Sequence, residues 1–135
     1  MEQYEEIIRS FSNDRFATEM AKVEFVEIRD GFAVCKMPLT PQHRNGLGAP
    51  MGGAIFTLAD FTASVAANTR APEGMAIVSL QADIRFLGTA RGKELIATAR
   101  CVKHGRTTTL YTVELADELG TQVAFATMNG YAVNR

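Results

Sequence analysis

The sequence predicts an α+β fold in which one curved antiparallel sheet of about six strands wraps around a single long central helix. Three observations predict it. After Gly52-Gly53 a run without Gly or Pro carries Ile55, Phe56, Leu58, Ala59, Phe61, Ala63, Val65, Ala66 and Ala67. Such a segment is apolar nearly all round, as a helix covered on several sides must be. About six further segments have the composition or the period-two alternation of strands, and the later ones are joined by short connections, which favour antiparallel pairing. With one helix to cover and about six strands to cover it, the sheet must curl around the helix.

Each element follows in order. Glu2 to Phe11 places Tyr4, Ile7, Ile8 and Phe11 at helical spacing, the pattern of a short amphipathic helix on the outside of the molecule. Asn13 or Asp14 can cap a further turn. Lys22 to Arg29 and Gly31 to Thr40 read as two strands joined at Asp30-Gly31, a dipeptide that tolerates the positive φ of a tight hairpin. Gly46 and Gly48 mark a loop, Gly52-Gly53 open the apolar helix, and Ala71-Pro72-Glu73-Gly74 follows it. Met75 to Leu87 alternates, with Val78, Leu80, Ala82, Ile84 and Phe86 expected on the core face and Ser79, Gln81, Asp83 and Arg85 on the other. Lys93 to Lys103, Thr107 to Ala116 and Gln122 to Val133 complete the strands. A sheet curved over one helix leaves edges and an open flank, so a symmetric assembly, a homodimer or homotetramer, is expected.

Composition limits the functions. With 135 residues, 47% of them hydrophobic, the chain suits one domain spanning residues 1–135 with a substantial core. Fourteen basic residues against fifteen acidic ones give a net charge of −1, and no basic stripe offers a footprint for nucleic acid. The beginning, MEQYEEIIRSF, is acidic where a signal peptide is basic, and no apolar run reaches bilayer length, so a cytoplasmic protein without membrane partners is expected. Cys35 and Cys101 lie in strand-like segments and read as small core residues. His43 and His104 have no Cys or second His at ligand spacing, so no metal site is expected.

Asp60 stands out from this background. A carboxylate in the middle of an apolar helix must be paired, protonated, or aimed at a cleft that uses its reactivity, because burying an ionised carboxylate alone costs several kcal/mol. Near it in sequence are Asn45-Gly46, a good turn former, and Gly52-Gly53, whose N–H groups at the start of a helix lack intrahelical acceptors.

His43, Asn45 and Gly46, then Gly52-Gly53, then Leu58-Ala59-Asp60, in this order of elements, resemble the hotdog-fold acyl-CoA thioesterases of the phenylacetate-degradation (PaaI-like) type. The likeness spans nearly the whole chain and includes the later GRTTTLYTVELADELGTQVAFATMNGYAV. It implies thioester hydrolysis with Asp60 as general base or nucleophile, the Gly52 amide beside Gly53 as oxyanion donor, and Asn45 holding the thioester or the water. It further implies a site shared across a dimer interface, with the Asn45 loop of one subunit meeting the Asp60 helix of the other. Ser79 lies where such enzymes often carry a polar residue assisting the water. Lys103 and Arg106 are candidates for the coenzyme A phosphates. Coenzyme A is then part of the acyl-CoA substrate, and no separate cofactor is expected.

One position departs from the pattern. The family usually carries His before the two glycines, and here Met51 stands in the substrate-binding region, able neither to titrate nor to donate a hydrogen bond. Two other functions stay open on sequence grounds: a hotdog hydratase or dehydratase, which Met51 counts against, and a non-catalytic acyl-CoA-binding protein. The acyl group depends on how Phe56, Phe61 and Met51 pack.

Overall fold

A computed structural model describes residues 2–135. A 3-10 turn at Glu2–Tyr4 leads into helix α1 (Glu5–Ser12), whose Ile7, Ile8 and Phe11 pack half-buried against the core, so α1 lies on the outside as its spacing predicts. A π-helical turn at Phe16–Met20 follows, and the Asp14 carboxylate accepts the Ala17 N–H at 3.4 Å near its start, a role the sequence suggested for Asn13 or Asp14. Lys22, with φ 64°, turns the chain into β1 (Glu24–Arg29), so the first strand starts later than its composition suggests.

The β1–β2 hairpin turns at Asp30-Gly31, with Gly31 at φ 66°, and β2 spans Phe32–Pro38. A Cβ on Gly31 would lie 2.8 Å from the Arg70 guanidinium carbon, so glycine is required there by conformation and by space. That guanidinium donates to both Asp30 carboxylate oxygens, at 2.8 and 3.2 Å, which ties the hairpin to the chain just beyond the central helix.

The central helix, α2 (Gly52–Asn68), buries Ile55, Leu58, Ala59, Phe61, Thr62, Ala63, Val65, Ala66 and Ala67. It is followed by β3 (Met75–Phe86), β4 (Glu94–His104), β5 (Thr108–Asp117) and β6 (Gln122–Asn134). The six strands form one sheet in the order β1-β2-β4-β5-β6-β3, and every pair is antiparallel. Among the residues buried on the strands are Ala33, Ala97, Ala99, Ala124, Ala126 and Ala132, whose small side chains let a helix bearing Leu58 and Val65 pack closely. Phe61 is held between Phe11 and Phe25, ring centroids 5.7 and 5.5 Å away, and is therefore core and not pocket wall.

The expected core face of β3 is only partly right. Val78 and Leu80 are 45% and 65% exposed, while Ile77 is buried. β3 crosses to the far edge and pairs with β6, and a bulge between Ser79 and Gln81 leaves Leu80 without a register partner. Before the bulge, Ile77 and Ser79 oppose Ala132 and Gly130. After it, Ala82, Ile84 and Phe86 oppose Met128, Ala126 and Ala124. All these β6 positions are buried, so one extra residue exchanges which alternate side chains of β3 face α2.

Cys35 is core as expected, and burial pushes its thiol up to about 12. Cys101 is only half-buried, its Sγ 3.4 Å from Arg70 Nη1. Asp117, expected only as a turn residue, is 3% exposed and accepts the N–H groups of Arg91, Gly92, Leu119 and Thr121 at 2.8–3.0 Å. Its carboxylate thereby fastens the loop before β4 to the β5–β6 turn. Among the described residues no helix is long and apolar enough to cross a membrane, and no cluster of His, Cys, Asp or Glu is placed to hold a metal ion.

Candidate active site

The loop between β2 and α2 is built by local hydrogen bonds. Thr40 N–H donates to His43 Nδ1 at 3.2 Å, which assigns the proton to Nε2, and Nε2 donates to the Ala21 carbonyl at 2.6 Å. His43 is 3% exposed and anchors the loop. Asn45 closes the next turn, its Oδ1 accepting the Leu47 and Ala49 N–H groups at 2.9 and 3.1 Å. Its carbonyl oxygen is thus spent on the turn, while its exposed Nδ2 amide has no partner among the described residues. An Arg44–Pro50 bridge and a 2.8 Å bond from Met51 N–H to the His43 carbonyl return the chain to the start of α2.

That helix start is left open. Met51, in extended conformation, occupies the N-cap position and makes no side-chain capping bond. The Gly52 and Gly53 N–H groups find no acceptor among the described residues, as the first turn of a helix requires unless it is capped. Their dipoles leave partial positive charge there, favourable to a negative oxygen. A cleft of about 250 Å³ reaches this point, lined by Ala49, Pro50, Gly52, Ile55, Phe86 and Thr89 among others. A Cβ on Gly52 would come 3.1 Å from the Phe86 ring, and one on Gly53 would come 2.9 Å from the Met51 methyl. The glycines therefore keep backbone accessible beneath two side chains. Phe86, which the alternation of β3 put among core residues, is 54% exposed and forms part of this cleft.

Farther along α2 runs a narrow polar ridge, Asp60, Ser64 and Asn68, spaced i, i+4 and i+8 on one helix face. The ridge meets β3. Asn68 holds both backbone groups of Ile77, accepting its N–H at 2.9 Å and donating to its carbonyl at 3.0 Å. Ser79 Oγ donates to Asp60 Oδ1 at 3.0 Å. Burial raises the Asp60 carboxyl above the ordinary range, the Ser79 bond opposes this, and nearby Asp14 adds to it. A half-buried carboxylate of raised basicity suits proton abstraction or nucleophilic attack. The spacing of residues 60, 64 and 68 was visible in the sequence; what it faced was not.

The candidates therefore fall into two groups. Asp60 and Ser79 touch, whereas Asn45, Met51, Gly52 and Gly53 gather at the start of α2. Asp60 lies eight residue steps along the helix from Gly52, a rise of about 12 Å, so one small substrate group cannot meet both within one chain. Lys103 and Arg106, both exposed, lie beside the β4–β5 turn. Nearby, Arg70 just past the end of α2 touches Cys101, so this is the end of the sheet remote from Gly52.

Residues 47–124 match the model of the thioesterase superfamily. Over 115 residues the chain is 32% identical to the acyl-coenzyme A thioesterase PaaI of Escherichia coli, covering 84% of this chain and 79% of that protein. The solved structure of E. coli PaaI superposes with a TM-score of 0.86 at 25% identity, covering 96% of this chain and 92% of the other. A hypothetical thioesterase protein of Streptococcus pneumoniae, solved with coenzyme A, superposes with a TM-score of 0.81 at 27% identity, covering 95% of this chain and 98% of that one.

Proposed function

The chain belongs to the thioesterase superfamily, is a thioester hydrolase with the hotdog fold, and on that premise we propose that it hydrolyses acyl-CoA thioesters at a site shared by two subunits. Asp60 and Ser79 come from one subunit, and Asn45 with the Gly52 N–H from the other. The observation that carries this reading is the separation of about 12 Å along α2 between the carboxylate and the open helix start, which a second copy of the chain can close. The β3 edge suits that copy. It is an outer strand of the sheet, and Val78, Leu80 and neighbouring Tyr131 are 45%, 65% and 43% exposed, an apolar border that a partner strand would cover.

The chemistry then needs few parts. With the thioester carbonyl oxygen at the Gly52 N–H, the charge that develops on that oxygen is stabilised where the helix already carries partial positive charge. Asp60 either takes a proton from water as the water attacks the carbonyl carbon, or attacks the carbon itself to form an anhydride that water then opens. In both routes the C–S bond breaks, the thiolate of coenzyme A leaves and is protonated, and the acid is released. The Asn45 amide, free at Nδ2, is available to the thioester oxygen or the water. Met51 folds over Gly53 and contributes contact without charge. Lys103 and Arg106 are the side chains assigned to the phosphates.

The test is thiol release across short, medium, long and aryl acyl-CoAs, with wild type and Asp60→Asn. Hydrolysis by wild type and a loss of 100-fold or more in Asp60→Asn, about what a positioned base supplies, supports the reading. Activity retained in Asp60→Asn removes Asp60 from its role. Thermal stabilisation by acyl-CoA without thiol release identifies a binding protein instead.

A further inference from the structure

We propose that Thr109 is a positioning residue for Asp60, acting through one water molecule bound among the Thr109, Ser64 and Ser79 hydroxyls. The inference rests on the catalytic reading of Asp60 given above.

Strand register brings these groups together. Thr109 on β5, Gly130 on β6 and Ser79 on β3 lie directly opposite one another across three neighbouring strands. Gly130 has no side chain to separate them. A Cβ there would come 2.6 Å from both Thr109 Oγ1 and Ile77 Cγ2, so the threonine hydroxyl occupies the space above the glycine. Thr109 is 3% exposed, and its Oγ1 has no hydrogen-bond partner among the described residues. A buried hydroxyl in that condition calls for a polar group to meet it.

The pocket beside it fits one occupant. Ser64, Ser79 and Thr109 line it, with apolar walls that include Ala63, Ile77 and Met128. Its room, about 10 Å³, suits a single water and excludes an acyl chain. Tyr111 also borders the pocket, but its hydroxyl is 2.9 Å from His104 Nδ1 and thus already engaged.

Hydrogen-bond direction gives the water a role. The Ser79 O–H is committed to Asp60, so Ser79 offers the pocket only lone pairs. Thr109 O–H then donates to the water, the water donates to Ser79 Oγ, and its other proton is available to Ser64 Oγ. Each bond from Thr109 to Asp60 points its donor toward the carboxylate, and such chains strengthen one another. The other ionisable groups around Asp60 and this pocket are Asp14, before the first strand, Tyr111 on β5, and His104 on β4 with Arg70 and Asp30 behind it.

Thr109→Val keeps the side-chain shape and deletes the hydroxyl. Thiol-release kinetics on the intact enzyme should show kcat reduced about tenfold with KM unchanged, a part of what general-base catalysis supplies. The acid limb of kcat/KM should move to higher pH, because the carboxylate has lost stabilisation. Thr109→Ser should restore both, thermal stability of Thr109→Val should not fall, and a high-resolution crystal structure should show the water in wild type and not in Thr109→Val. Wild-type kcat and pH profile in Thr109→Val, or a loss that Ser does not rescue and that leaves the acid limb in place, overturns the proposal. Asp60→Asn measured alongside separates the two ideas: if it is inactive while Thr109→Val behaves as wild type, only the role of Thr109 falls. If Asp60→Asn is active, the reading beneath the proposal falls too.

Discussion

Ser79 Oγ reaches Asp60 Oδ1 at 3.0 Å because β3 carries an extra residue, Leu80, between Ser79 and Gln81. Without that bulge, the alternation that turns Ala82 and Ile84 toward α2 would turn Ser79 away from it. The bulge lets one edge strand present a hydroxyl to the carboxylate in its first half and apolar side chains to the core in its second.

Replacing Ser79 by Ala should therefore move the acid limb of kcat/KM to higher pH. Burial already raises the Asp60 carboxyl, and the Ser79 bond is what opposes it. Removing the bond leaves the protonated, inactive form populated to a higher pH. A pH–rate profile checks this; an unmoved limb would detach Ser79 from Asp60 in catalysis.

The Gly52 N–H can be deleted without breaking the helix. Gly52 is the first residue of α2, where proline is tolerated, and Met51 at φ −72° and ψ 134° has the extended backbone that a following proline needs. Gly52→Pro should lose about 100- to 1000-fold in kcat, the usual effect of losing one oxyanion donor. Gly52→Ala keeps the N–H and adds a Cβ against the Phe86 ring, which is half-exposed and can yield, so it should lose far less. Steady-state kinetics on the pair, with melting temperatures as control, decide the matter.

A shared site predicts complementation. Asp60→Asn and Asn45→Ala should each be nearly inactive alone. After unfolding and refolding together they should recover about one quarter of the wild-type rate, since half the dimers are mixed and each mixed dimer has one complete site. Leu80→Lys, placed on the exposed apolar edge, should shift the protein toward monomer in sedimentation and abolish hydrolysis. No recovery on mixing would put both halves of the site in one chain.

Asp117 should govern acid stability. Burial alone would raise its carboxyl, but the N–H groups of Arg91, Thr121 and Gly92 hold it down from an ordinary 3.8 to about 2. A depressed carboxyl contributes stability that is full above the ordinary value and lost as pH falls through the depressed one. Asp117→Asn should lower the melting temperature near neutral pH, because an amide NH2 would face a backbone N–H. It should also flatten the dependence of melting temperature on pH between about 4 and 2. Thermal melts across that range test both effects.

Much of this molecule was legible in the chain itself. Apolar residues on nearly every side of α2, the period-two runs and Asp30-Gly31 foretold one helix inside an antiparallel sheet, because helix burial, strand alternation and positive φ are local consequences of residue type. Asp60 announced itself by being charged where its neighbours are not. Tertiary structure decided the rest. The crossing of β3 to pair with β6, the bulge at Leu80, Phe86 over Gly52 and the unpartnered Thr109 hydroxyl all depend on which strands meet and in what register. Register is set by residues distant in sequence, so alternation within β3 could not reveal that Ser79, and not Val78 or Leu80, would face the helix.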